Sequence, residues 1–271
     1  MFKLYLCAAL GCASMACDPK PAQTSSGTAP THTTTSARDQ AAPAAPSQEQ
    51  TNKTSNTNPA ADAAPLAHEN KRRFVSAALG DSITDKKSGG GGFLAHAQSA
   101  CPESTFLNFG KGGDMTNQML RRLKSDILPR VASDKIDTLI VFGGVNDLYS
   151  DLTAGRKNEV IERDLSAIYA LGREAGLRVI AITVSPWGGF SKYWNPRRGE
   201  NTKLLNSWIL GLEANNKVDL VVDSFPLLSC GQPDVLCPEY EKPHQDGLHP
   251  GPEGHAVLGK KLVTIAFPDC R

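Results

Sequence analysis

The chain has 271 residues, 40% of them hydrophobic, enough for one sizeable core with segments to spare. Its 29 basic and 28 acidic residues leave a formal net charge of +1, which excludes the basic surplus expected of a general nucleic-acid binder. Met1–Lys3 makes a short positive start, and Leu4–Ala16 is an uncharged run of 13 small and apolar residues. That run is too short to span a bilayer and fits the apolar region of a secretory signal. It ends in Ser14-Met15-Ala16-Cys17, small residues before a cysteine, as at a bacterial lipoprotein cleavage site. Cys17 is therefore the expected lipidation site, with Cys12 a second candidate; the alternative is a cleaved signal and a secreted product. Residues 18–70 are rich in Ala, Pro, Thr, Ser, Gln and Asn, with Leu66 the one large aliphatic residue and no aromatic. Such a segment cannot bury enough apolar surface to offset its ordering entropy, so it reads as a disordered tether carrying a domain that spans residues 71–271. The expected location is the cell envelope, with membrane contact only through the N-terminal anchor.

From Lys71 onward, short apolar runs alternate with longer helical patterns. The predicted strands are Phe74–Leu79, Thr105–Phe109, Asp137–Phe142, Arg178–Val184 and Val218–Val222. The predicted helices are Phe93–Ala100, Thr116–Val131, Asn158–Ala175, Thr202–Asn215 and Pro252–Ala266. Five buried strands alternating with helices imply a parallel sheet covered on both faces, whose ligands bind beyond the carboxyl ends of the strands.

Four segments fall at those strand ends or in the last loop. They are Gly80-Asp81-Ser82-Ile83-Thr84, Gly110-Lys111-Gly112-Gly113-Asp114, Gly143-Gly144-Val145-Asn146-Asp147 and Asp246-Gly247-Leu248-His249-Pro250. Singly, each is an ordinary turn. Together, in this order, they resemble the four blocks of the SGNH (GDSL-type) hydrolase family, with Ser82, Gly113, Asn146 and His249 at the positions that name it. The resemblance covers roughly residues 74–266. It implies a flavodoxin-like three-layer α/β/α sandwich around a five-stranded parallel sheet, and hydrolysis of carboxylic esters through an acyl-serine with no metal or organic cofactor.

The chemistry of the residues agrees. A serine hydroxyl needs a base, which His249 supplies; Asp246, three residues earlier, can orient the imidazole. The backbone N–H groups of Ser82 and Gly113 and the side-chain amide of Asn146 are candidate oxyanion donors. Asp81 and Asp147 read as loop braces. His244 lacks the preceding aspartate, and His96 and His255 lie within helices, so His249 is preferred as the base.

Cys101, Cys230, Cys237 and Cys270 form an even set with three possible pairings. The turn-rich Gly231–Leu236 loop favours Cys230–Cys237, leaving Cys101–Cys270. A zinc site using Cys237, His244 and His249 matches no standard finger spacing. Gly90-Gly91-Gly92 lies too far past the first strand for a dinucleotide loop. The segment 185–199 carries Trp187, Phe190, Tyr193 and Trp194, a candidate wall for sugar rings or acyl chains, with Arg197 and Arg198 suited to an acidic group; the alternative is a loop packing its aromatics against the domain. The expected substrate is thus a small-molecule or glycan ester. A thioesterase or lysophospholipase would use the same residues, and a tethered non-catalytic binding module would keep the fold alone. The sequence sets no oligomeric state.

Overall fold

The structure, a computed structural model, describes residues 71–270. The expected export segment, Cys17 and tether lie outside the described residues. The strands are β1 (Val75–Gly80), β2 (Thr105–Gly110), β3 (Thr138–Phe142), β4 (Arg178–Ile182) and β5 (Leu220–Val222). All pair in parallel in the order β2-β1-β3-β4-β5, the expected α/β architecture. The chain leaves β1 toward β2 and returns across it to β3. The sheet therefore has its topological switch point at the carboxyl end of β1, where a crevice opens.

β1, β3 and β4 are buried on both faces, the edge strands β2 and β5 only partly, and successive side chains alternate between two cores. Leu139 and Val141 of β3 pack with Met119, Ile161, Ile168 and Ile209 on one face. Ile140 and Phe142 pack with Phe93, Leu258, Leu262 and Phe267 on the other. The first face is covered by α2 (Thr116–Arg122), α5 (Asn158–Glu174) and α6 (Pro196–Ala214), the second by α1 (Gly92–Ala100) and α9 (Pro252–Ala266). Short helices α3 (Val131–Asp134), α4 (Val145–Tyr149), α7 (Ser224–Ser229) and α8 (Pro238–Glu241) fill the connections.

Two helices depart from the sequence reading. The predicted Thr116–Val131 helix stops at Arg122 and continues as a π-turn over Leu123–Ile127 and a 3-10 turn around Pro129, whose ring cannot continue an α-helix. Conversely, α6 begins six residues before Thr202. Asn195 caps it by accepting from Arg198 N at 3.0 Å, and Pro196 suits the first turn.

Both expected disulfides are present, Cys101–Cys270 and Cys230–Cys237. The first joins the end of α1 to the segment after α9. There Arg72 also pairs with Cys270 in a parallel bridge and donates its N–H to Asp269 O at 2.7 Å. Both ends of the described chain thus meet at the amino edge of the sheet. Among the described residues no helix is long and apolar enough to cross a membrane.

Candidate active site

At the carboxyl end of β1 the chain turns sharply. Thr84 N and Asp85 N both donate to Asp81 O, at 3.2 and 2.9 Å, and Ile83 N donates to Asp81 Oδ1 at 3.0 Å. Asp81 thereby organises the turn that carries Ser82. Its carboxyl is buried and Oδ2 has no hydrogen-bond partner. Burial pushes its pKa up to about 7, against the opposing pull of the Ile83 hydrogen bond and the His249 charge.

Ser82 and His249, 167 residues apart, come within a hydrogen bond: Ser82 Oγ lies 2.8 Å from His249 Nε2. His249 Nδ1 lies 2.6 Å from Asp246 Oδ2. Oδ1 of the same carboxylate accepts from Leu248 N and His249 N, each at 2.9 Å. Partial burial raises the Asp246 pKa, but hydrogen bonds from the His249 ring and the two backbone N–H groups, with the imidazole charge, outweigh it and hold the net pKa below the usual value. Asp246 is therefore a carboxylate at neutral pH.

The loop carrying this pair is fixed by close backbone contact. Gly247 has φ +76°, and a Cβ there would lie 1.8 Å from Gly189 C, so only glycine fits. Its N–H donates to Glu241 Oε1. Beside Gly189, Gly188 N donates to Asp234 O at 2.5 Å, inside the loop closed by Cys230–Cys237.

On the other side of Ser82, buried side chains tie the strand ends together. Arg122 contacts Asp114 Oδ2 and Phe109 O at 2.5 Å each and Gly80 O at 2.8 Å, joining β1, β2 and the glycine loop. Asp147 accepts from Thr116 N (2.9 Å), Thr116 Oγ1 (3.0 Å) and Arg156 Nε (2.7 Å), and Arg156 Nη2 reaches Asp164 Oδ2 at 2.6 Å. This network links the start of α2 to α4 and α5. Gly112 N donates to Asp85 Oδ2 at 3.0 Å, tying the first two loops. Gly113 is exposed at φ +78°, with open space where a Cβ would stand.

Asn146 is buried; its Nδ2 donates to Asp114 O at 2.9 Å, and its Oδ1 accepts from Tyr149 Oη at 2.6 Å. Among the described residues, the N–H groups of Ser82 and Gly113 donate to no protein acceptor. The second N–H of the Asn146 amide is likewise unengaged there.

Of the other histidines, His255 is buried in α9 and stacks on Phe93, with ring centroids 6.1 Å apart. Burial first, then the charges of His244 and His249, lower its pKa to about 4, so it stays neutral. His244 is exposed, its ring 6.2 Å from that of His249.

Trp187 corrects the expectation of an aromatic wall: it is 1% exposed, and its indole N–H donates to Thr202 Oγ1 at 2.9 Å. Its place is the core, because the loop turns inward after Pro186 to cover α6. Tyr193 and Trp194 remain half-buried. Sequence reasoning missed Tyr149, whose ring joins Phe190 and Tyr193 of that segment in a cluster. Tyr149 was discoverable as the residue three positions after Asn146, on the same helical turn.

The model of the GDSL-like Lipase/Acylhydrolase family matches residues 78–257 of the chain. Among solved structures, a putative acylhydrolase from Bacteroides fragilis shares the fold at TM-score 0.57 and 20% identity, covering 72% of this chain and 89% of its own. The acetylxylan esterase Axe2 from Geobacillus stearothermophilus aligns at TM-score 0.58 and 18% identity, covering 73% of this chain and 96% of its own. A second acetyl xylan esterase, AlAXEase, aligns at 0.57 and 19%, covering 72% and 100%. No curated protein sequence matches the chain.

Proposed function

The chain belongs to the GDSL-like Lipase/Acylhydrolase family and is a serine ester hydrolase, and from that premise we propose that Ser82 is its nucleophile, His249 its general base and Asp246 the residue that orients the base. The observation that carries this reading is the continuous hydrogen-bonded line Ser82–His249–Asp246. With Nδ1 held by a carboxylate, Nε2 of the neutral ring faces the serine as an acceptor.

In the reaction, the Oγ–H proton passes to His249 Nε2 as Oγ bonds to the ester carbon. The carbonyl oxygen becomes an oxyanion. The N–H groups of Ser82 and Gly113 and the Asn146 amide donate to it, each worth roughly 3–4 kcal/mol in the transition state. The tetrahedral adduct then collapses, the bond to the alcohol oxygen breaks, and His249 returns its proton to that leaving oxygen. Water repeats the sequence on the acyl-serine and releases the acid.

The substrate reading is a short acyl ester on a carbohydrate. It is supported by acetyl xylan esterases among proteins of the same fold and by half-buried aromatics on the loop after β4. Export with an acylated Cys17 remains part of this reading, consistent with two disulfides, which persist in oxidising compartments.

A fluorophosphonate probe tests the nucleophile. The folded protein is expected to be labelled and the Ser82→Ala variant not; an unlabelled wild type, or a labelled variant, sinks the assignment. Turnover of acetyl, butyryl and long-chain esters and of acetylated glycans then ranks substrates, with acetylated glycans expected first.

A further inference from the structure

A carboxamide side chain is nearly symmetric in shape, yet its two ends do opposite jobs. If the Asn146 amide rotated by half a turn, it would present an oxygen where the reaction needs an N–H. Something must hold it. At one end stands Asp114 O, a carbonyl that can only accept, 2.9 Å from Nδ2. At the other stands the Tyr149 hydroxyl, 2.6 Å from Oδ1. An amide oxygen can only accept, so the phenol donates. Burial first, then the charge of Asp81 and neighbouring groups, raises the Tyr149 pKa above its ordinary value, so that proton is retained throughout the neutral range.

The ring of Tyr149 is itself gripped from outside its own helix. Tyr193 lies 5.1 Å away between centroids, Phe190 6.1 Å and Trp187 6.5 Å, all from the segment after β4. One side chain therefore touches the aromatic segment with its ring and the Asn146 amide with its hydroxyl.

We infer that Tyr149 is a positioning residue for ester hydrolysis: it locks and polarises the Asn146 amide as an oxyanion donor, and ties that donor to the aromatic segment beside it. This rests on the reading of Asn146 as a donor given above. A hydroxyl that donates to the amide oxygen draws charge toward it and sharpens the opposite N–H as a donor. Because that N–H matters most when negative charge develops, the contribution falls on kcat rather than on KM.

The test is a double-mutant cycle on the full chain with p-nitrophenyl acetate, using Tyr149→Phe, Asn146→Ala and the pair. Tyr149→Phe removes one oxygen and keeps the ring. It is expected to lower kcat about 5- to 10-fold, the worth of one hydrogen bond, with KM within about twofold. Asn146→Ala is expected to lower kcat about 100-fold. The double variant is expected to match Asn146→Ala, since the hydroxyl then has nothing to orient. An unchanged kcat in Tyr149→Phe, or losses that multiply in the pair, overturns the inference while Asn146 keeps its role. A wild-type kcat in Asn146→Ala overturns the donor reading itself and the inference with it. A second readout is independent of turnover. The Asn146 side-chain amide proton signals, assigned by their loss in Asn146→Ala, are expected to shift in Tyr149→Phe; unmoved signals overturn the inference.

Discussion

Ser82 has two flanks, and they are built from different materials. Toward β2 and β3, charges are taken out of water: Arg122 bridges three acceptors, and Arg156 sits between Asp147 and Asp164, all largely buried. Toward the late loop, Asp246 and His249 keep about 38% and 26% of their side-chain surface exposed. They are held by each other, by backbone contact at Gly247 and by a neighbouring disulfide loop. Ser82, Gly113 and Asn146 lie on three segments far apart in sequence. Local geometry cannot aim them, so long-range buried pairs do. Asp246 and His249 lie three residues apart, and one turn brings them together.

Three perturbations break or sharpen this contrast. The largest is expected from Arg156→Met, which strips Asp147 and Asp164 of a shared buried partner. A loss of about 3–5 kcal/mol in urea unfolding is expected; under about 1 kcal/mol would mean that the buried pairs brace nothing. Next is Asp81→Asn. The folded-state carboxyl holds a proton that the unfolded chain releases between about pH 4 and 7, so its stabilising contribution is full below about pH 4 and is lost as pH rises through 7. The wild type should lose roughly 2–4 kcal/mol by pH 9 that the asparagine variant does not; equal pH slopes in parallel urea titrations would place Asp81 outside the buried flank. The smallest is expected from Cys230→Ser with Cys237→Ser. Opening so short a loop should cost about 2.5 kcal/mol. A thermal-denaturation loss above that of Arg156→Met would reverse the ranking of the flanks.

Much of this was legible in the chain before any coordinates. Strands β1 to β4 announce themselves as apolar runs ending at glycine or proline; Ser82, Gly113 and Asn146 follow from blocks at the ends of the first three, and His249 from the block in the last loop. The Asp246–His249 spacing even contains its own geometry. What was hidden is what long-range packing decides. Arg122 and Arg156 look like ordinary helix or loop arginines until their partners, 8 to 42 residues away, are brought against them. Trp187 looks like a binding residue because an aromatic after a strand end has no local sign of which way it turns. The break in the helix after Arg122 was signalled by Pro129 alone, and the apolar periodicity concealed it.

The bridge between Arg72 and Cys270 has a consequence for orientation. The polypeptide enters the domain at the floor of the sheet and is stapled there by Cys101–Cys270, whereas Ser82 crowns the opposite rim, roughly 20 Å along a six-residue strand. The first described residues and Ser82 thus stand at opposite ends of β1.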